Sequence, residues 1–527
     1  MTQKFCQRLF FGCVLAVVGA SAIATEPLRV QLRSRVVSKE DQSWLIKLRA
    51  ESWQHNETAI VVCDMWDLHH CFRAVVREAE FAPRLDRLLR ELRDQGVTII
   101  HAPSGCMKQY ENNAARARAI NTPQAKDVPK GIDSWCHSIP AESKVDYPID
   151  QSDGGEDDTA EEHEKWEAEL KRMGKDPRQP WTRQIDAIGI DQSQDYISDS
   201  GREIWNILRY RKIKNVMLAG VHTNMCVLGR PFGLRQLAQN RVHVVLVRDM
   251  TDTMYNPAAR PYVSHFTGTD LIVEHIERYV CPTITSDQIV GGKPFRFSED
   301  RRPRVAIMVG EREYRTSQSL QRFAVEMLGK EYCCEWITPN TDDRNRFENI
   351  DVLDDCDALL VSVRRRTPPI GQLKRVQEFV RSGKPVIGIR TGSHAFSLRN
   401  DSPPGGYAQW PEFDAEVFGG NYSNHYGNSL KCTVEFTLNS KHPLLHGIEP
   451  RSFAAGGSLY RVRPLKEGAT VLMEGSVVGA SSEPVAWTFE REEGGRSFYT
   501  SLGHQDDFEN PLFRGLLKNA IDWGVKR

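Results

Sequence analysis

The sequence predicts an α/β protein made of two doubly wound, mainly parallel-sheet domains in tandem. Three observations carry this. The chain has 527 residues, more than one hydrophobic core organises, so it divides into domains. Short continuous apolar runs, such as Ala59-Ile60-Val61-Val62-Cys63 and Val305-Ala306-Ile307-Met308-Val309, read as strands covered on both faces. In both halves such runs alternate with helix-spaced segments, the pattern of a parallel sheet with crossover helices.

At the N-terminus, Lys4 and Arg8 precede an apolar run at 9–20, and Ala22-Ile23-Ala24 follows. This is a secretory signal pattern, with an apolar run too short to span a membrane comfortably. Residues 1–24 are therefore expected to be removed, which places the protein outside the cytoplasm, secreted or periplasmic. Residues 25–57 form an N-terminal extension. The first domain is expected at 58–280. Its strands are 59–63, 97–100, 187–190, 216–219 and 242–247. Helix spacing covers 82–95, with Leu85, Leu88, Leu89 and Leu92 on one face and Gly96 as a stop. Further helices lie around 203–210 and over 227–240. A polar insertion at about 104–186, with acidic runs at 156–158 and 161–162, is of the length that borders a site or forms a solvated loop.

Residues 281–303 read as a linker, and the second domain occupies 304–527. Its strands are 305–309, 358–363, 385–389 and 497–500, and its helices 319–328, 373–381 and 511–523. No internal repeat is visible. Hydrophobic residues make up 40% and charged residues 26%, with a formal net charge of −1. That balance leaves no basic footprint for nucleic acid, and no polybasic patch for a membrane once the signal is cleaved. The cysteines are scattered and none shows zinc-finger spacing, so no disulfide partner is assignable and no metal or cofactor is expected.

The richest stretch is Asn215-Val216-Met217-Leu218-Ala219-Gly220-Val221-His222-Thr223-Asn224-Met225-Cys226-Val227. A buried strand ends at Gly220, a tight turn follows, and Cys226 opens the next helix. Unpaired N–H groups and the positive end of the helix dipole favour a thiolate there. Asp64 follows the first strand. Open parallel sheets bind ligands at the carboxyl ends of their strands, and a carboxylate near a thiol can take its proton. Asp64 reads equally as a loop or helix cap. Trp66, His69 and His70 beside Asp64 are candidates to shape a substrate site. Asp249, Asp252 and Tyr255 follow a later strand and either line the same crevice or cap a helix.

The segment Val61-Val62-Cys63-Asp64-Met65, together with Gly220-Val221-His222-Thr223-Asn224-Met225-Cys226-Val227, resembles the isochorismatase-like cysteine hydrolase superfamily over roughly 58–280. The resemblance implies attack by Cys226 on the carbonyl of a small-molecule amide, with Asp64 as general base and acid, and an acyl-enzyme hydrolysed by water. It implies an oxyanion hole from the N–H groups of Met225 and Cys226, and a strained, often cis, peptide at Val221-His222. Substrate contacts would come from Trp66, His69, His70, His222 and Asn224. The family also has a lysine at the end of an intervening strand. Around 181–187 this sequence has none, and Arg183 is the candidate to supply the positive charge. Relatives often assemble, so a homo-oligomer is left open.

In the second half, Gly388-Ile389-Arg390-Thr391-Gly392 has the shape of a nucleophile elbow with an arginine at its centre. With Val309-Gly310-Glu311-Arg312-Glu313-Tyr314 and Gly503-His504-Gln505-Asp506-Asp507 it resembles the trehalose-utilisation-type (ThuA-like) branch of the class I glutamine-amidotransferase-like fold, itself flavodoxin-like, over roughly 304–526. Arg390 cannot attack a carbonyl, so glutamine hydrolysis by the usual route is not expected. A pocket from Glu311, Arg390, His394, His425, His504 and Asp506 could hold a sugar-like or anionic ligand, or the domain could be structural. The sequence thus points to a cysteine hydrolase of non-peptide C–N bonds joined to a ligand-binding domain. The alternative is a non-catalytic binding protein built from two degenerate enzyme folds.

Overall fold

The computed structural model describes residues 26–437, 442–449 and 452–526; the expected signal segment lies outside them. The first domain is an eight-stranded sheet. Its strands are β1 (Leu28–Val37), β2 (Trp44–Trp53), β3 (Thr58–Cys63), β4 (Thr98–Ala102), β5 (Tyr196–Ile197), β6 (Asn215–Val221), β7 (His243–Asp252) and β8 (Thr283–Ile284), in the spatial order β2-β1-β8-β7-β6-β3-β4-β5. β8 through β5 run parallel, and β1–β2 is an antiparallel hairpin on the edge.

Two expectations change here. The 25–57 extension is the β1–β2 hairpin, an integral part of the sheet. Its alternation of buried Leu28, Val30 and Leu32 with exposed neighbours is the period-two signal of a half-buried strand. The 281–303 linker supplies β8, which pairs with both β1 and β7.

Two more expectations change inside the domain. Residues 187–190 are not a strand; the edge strand is Tyr196–Ile197, paired with β4. The helix read over 227–240 is broken. A wide turn spans Thr223–Val227 and a short helix spans Leu234–Gln239, because Pro231 lacks the N–H a continuous helix needs. By contrast, the helix expected at 82–95 begins earlier and spans Phe72–Asp94. Asp158 in the insertion accepts from the Phe72 and Arg73 N–H groups at 2.6 and 2.8 Å, satisfying donors that a helix start leaves open.

The second domain adds β9 (Arg304–Gly310), β10 (Cys333–Pro339), β11 (Phe347–Glu348), β12 (Ala358–Val363), β13 (Val386–Ile389), β14 (Asn424–His425), β15 (Thr433–Phe436), β16 (Ser452–Ala454), β17 (Tyr460–Arg461), β18 (Ala469–Ser476), β19 (Glu483–Glu490) and β20 (Arg496–Thr500). Its main sheet has the order β11-β10-β9-β12-β13-β20-β19-β18-β15-β16. The segment β10-β9-β12-β13-β20 is parallel, and the rest is antiparallel. The helix expected at 319–328 starts at Thr316 and ends in a wide turn at Ala324–Leu328. Both domains are therefore α/β; the first sheet is mostly parallel, and the second joins a parallel half to an antiparallel one. No helix among the described residues is long and apolar enough to cross a membrane.

Candidate functional site

Register brings the first site together. Cys63 on β3 lies opposite both Ala102 on β4 and Gly220 on β6, so the next residues of all three strands emerge side by side. A Cβ on Gly220 would sit 2.0 Å from the Cys63 carbonyl oxygen, and its φ of +111° suits only glycine. Between β6 and β7 the register jumps after Leu218, and Thr251 and Asp252 pair with Gly220 and Val221. That irregularity returns the end of β7 to the site.

The turn that carries Cys226 is tied to β7. Thr223 Oγ1 donates to the Asp252 carbonyl at 2.9 Å and lies 2.7 Å from Thr251 Oγ1. The Asn224 side chain exchanges two hydrogen bonds with Met254, at 2.8 and 3.0 Å. Asn224 thus holds backbone, and both its amide groups are engaged. The Val221–His222 peptide is cis. The Met225 N–H donates to the His222 carbonyl at 3.0 Å, so the Met225 half of the expected oxyanion hole is occupied by the turn itself.

Asp64 is fully buried, with φ of 47°. Its Oδ1 accepts from the Ser104 N–H at 2.7 Å and its Oδ2 from Arg230 Nε at 2.9 Å. The cation on Asp64 is therefore Arg230 and not Arg183. Arg183 sits in a short antiparallel bridge, where Gln184 pairs with Trp66. Its guanidinium contacts Asp186 and lies 3.6 Å from Asp67, so local carboxylates hold it outside the site. Arg230 lies one helical turn beyond Cys226, its N–H donating to the Cys226 carbonyl at 3.0 Å. Its guanidinium also covers the Trp135 ring, 5.3 Å from the centroid. The four-residue spacing from Cys226 was the available sequence signal.

Cys226 is only 8% exposed. Burial, and then the Asp64 carboxylate, push its thiol well above the ordinary cysteine value, with the Arg230 guanidinium opposing them. The thiolate expected from the helix dipole is thus outweighed by desolvation and a nearby negative charge. Cys226 is therefore held as a thiol beside the Asp64 carboxylate.

Aromatic rings form the wall. Trp66 stacks on Trp181, centroids 4.5 Å apart at 14°, and donates Nε1–H to the Ser104 carbonyl at 3.1 Å. His69 stacks on Trp181 at 5.8 Å and meets His222 edge-on at 4.8 Å. His70 packs on His69 at 4.0 Å. Burial keeps all three histidines neutral, with His222 brought down to about 3. His222 Nε2 is buried without a hydrogen-bond partner among the described residues. Of the residues left open, Asp252 lies behind this wall rather than in the crevice. It takes Arg77 Nε at 2.8 Å and His265 Nε2 at 2.9 Å, while Arg77 also grips Asp157 with two bonds of 2.9 Å. Arg77 and His265 were not legible as partners, being far apart in sequence. Asp249 accepts from Ser286, and Tyr255 donates to the Ala259 carbonyl; both brace loops.

Two groups of metal-capable side chains cluster among the described residues, Cys71 with Asp157 and Asp158, and Glu156 with Asp158 and His163. In both, Asp158 is the cap of the Phe72–Asp94 helix.

The second elbow is built differently. Arg390 follows β13 with φ of 46° and is 2% exposed. Its Nη1 donates to the Ser458 and Ser501 carbonyls at 2.9 and 2.7 Å, and its Nη2 to Ser458 Oγ at 3.1 Å. The guanidinium is sandwiched by Tyr314 and Tyr460, at 4.7 and 4.3 Å from their centroids. The protein itself thus engages both terminal nitrogens of this cation, while Nε is buried without a partner among the described residues. Glu311 is the cap of the Thr316–Phe323 helix, accepting from Thr316 N–H and the Tyr314 N–H. His394 stacks on Tyr422 at 4.4 Å, and His425 Nδ1 donates to the Tyr426 carbonyl at 2.7 Å. His504 faces Tyr314, its Nδ1 3.4 Å from an exposed Asp506. The structural carboxylate of that loop is Asp507, which accepts from the N–H groups of Gly456, Gly503 and His504.

Residues 304–524 match the ThuA family model, described as trehalose utilisation. No curated protein matches the chain. A ThuA-like protein from Bacteroides uniformis ATCC 8492 is 18% identical, over 45% of this chain and 96% of its own, with a TM-score of 0.35. A cysteine hydrolase from Pseudomonas syringae pv. phaseolicola 1448A is 17% identical, over 45% of this chain and 94% of its own, with a TM-score of 0.27. An isochorismatase family protein from Burkholderia thailandensis is 13% identical, over 44% of this chain and 94% of its own, with a TM-score of 0.25. The second domain thus matches the ThuA family model.

Proposed function

We propose that the first domain hydrolyses a non-peptide C–N bond of a small-molecule amide through Cys226. The observation that carries this reading is the pairing of a buried thiol with a buried carboxylate at adjacent strand ends, the carboxylate fixed by Arg230 and the Ser104 N–H. Asp64 takes the thiol proton as Cys226 Sγ attacks the carbonyl carbon, so no free thiolate accumulates. The Cys226 N–H faces the developing oxyanion. Asp64 then passes the proton to the leaving nitrogen, the C–N bond breaks, and a thioester and an amine result. Water, giving its proton to Asp64, attacks the thioester; the acid leaves and the proton returns to sulfur. Trp66, Trp181, His69 and His222 offer a flat, neutral wall that suits an uncharged planar amide. The second domain, with Arg390 at its elbow, does not supply a nucleophile.

The test is release of ammonia or amine from a panel of small amides by the full chain, with Cys226→Ala as control. Turnover that Cys226→Ala abolishes is expected, and turnover that survives the change overturns the mechanism. The engaged Met225 N–H favours a second reading, a binding domain without turnover. Saturable binding of a panel amide with no product released would select it.

A further inference from the structure

The run Arg364-Arg365-Arg366 leaves β12 at the carboxyl end of the second sheet. The three side chains separate. Arg364 pairs with Glu313 at 3.1 Å. Arg365 donates to the Ser397 carbonyl at 2.9 Å. Arg366 turns into a cavity of about 530 Å³ that is roofed by the turn between β1 and β2 of the first domain. The roof is tied down by Gln318 Nε2 donating to the Asp41 carbonyl at 2.8 Å, by the Ile46 N–H donating to Thr338 Oγ1 at 2.9 Å, and by an Arg312–Glu40 ion pair.

Arg366 is 7% exposed, and its Nε has no hydrogen-bond partner among the described residues. No carboxylate pairs with it among them. Burial, followed by the guanidiniums of Arg344, Arg312 and Arg364, brings it down to about 10. Ser317, lining the same cavity, is also buried with an unpartnered hydroxyl. The carboxylates nearby are spent: Glu311 on the helix cap, Glu40 on Arg312, and Asp41 on the Ser43 N–H and hydroxyl. Asp342 is exposed at the rim. A buried guanidinium without a paired counter-charge is costly, and Arg366, which lines the cavity with no side-chain hydrogen bond or ion pair among the described residues, matches an oxyanion there.

We propose that this interdomain cavity is a binding site for a small organic anion, whose carboxylate or phosphate group is taken by Arg366 and Ser317, with Arg344 at the mouth. Because the roof belongs to the first domain and the floor to the second, the anion clamps the two together. Neither Cys226 nor Arg390 lines this cavity; Glu311 does, holding the helix start with its carboxylate.

The test uses the full chain at low ionic strength, titrated with inorganic phosphate, citrate and glycerol 3-phosphate, with glycerol as the neutral control. Calorimetry and thermal melting are the readouts. Saturable binding of at least one anion, with a rise in melting temperature and no response to glycerol, is expected. Arg366→Gln should weaken it by ~10-fold or more, and Arg344→Gln more mildly, while Cys226→Ala leaves it unchanged. If Arg366→Gln does not fold, Arg344→Gln and Ser317→Ala carry the comparison. Which anion binds distinguishes a phosphate from a carboxylate ligand. No saturable response to any of the three, or one that these variants retain at full strength, overturns the proposal.

Discussion

The two elbows of this chain occupy equivalent places and do opposite things. Cys226 and Arg390 both follow a buried parallel strand, and both are almost completely enclosed. At the first, a buried thiol lies beside a carboxylate that is itself held by one backbone N–H and one cation. At the second, the terminal nitrogens of a cation are held by two backbone carbonyls and its plane by two tyrosine faces, with Nε left without a partner among the described residues. A strand end in an open parallel sheet supplies a location. Whether it becomes a site depends on whether the protein leaves its polar groups free for a ligand.

The largest effect that can break this comparison is at the second elbow. If Arg390 is a structural plug, Arg390→Met leaves the Ser458 and Ser501 carbonyls unpaired and should cost about 2–4 kcal/mol, read by denaturant unfolding. Activity of the first domain below the melting range should be unchanged. A neutral or stabilising result would mean that the guanidinium serves a ligand.

Next comes the cation at the first elbow. Arg230→Gln should lower kcat for amide hydrolysis by ~10²-fold through loss of the group that orients Asp64, while Arg183→Gln stays within about twofold. Equal losses would dissolve the distinction drawn between the two arginines.

The smallest effect concerns the histidine wall. His222 has a folded value of about 3 against 6.5 unfolded. The unfolded chain therefore binds the proton first as pH falls, and stability is present above 6.5 and lost below it. At pH 5 this residue alone should cost about 2 kcal/mol relative to pH 7. His222→Gln should flatten that part of the melting-temperature profile. An unchanged slope would show that His222 is not held neutral.

Much of this was legible in the chain. The apolar runs of β3, β6, β9 and β12 marked the sheets, because strands buried on both faces cannot hide their composition. Asp64 directly follows such a run, and Cys226 follows one across a short turn. What escaped were short strands and long-range partners. Thr283–Ile284 is too brief to show periodicity. The helix at Phe72 begins where it does because Asp158, 86 residues away, caps it. Pro231 breaks the segment although the apolar residues around it keep helical spacing.

The sequence by itself determined which residues stand at the strand ends, since strand boundaries follow from local pattern, and hence that Cys226 and Asp64 could meet and Arg390 could not be a nucleophile. Only the tertiary structure decided which cation reaches Asp64, that the Cys226 thiol is held protonated, and that Arg366 is buried without a partner. Those properties depend on distance and desolvation among groups far apart in the chain, and neither quantity is written in local order.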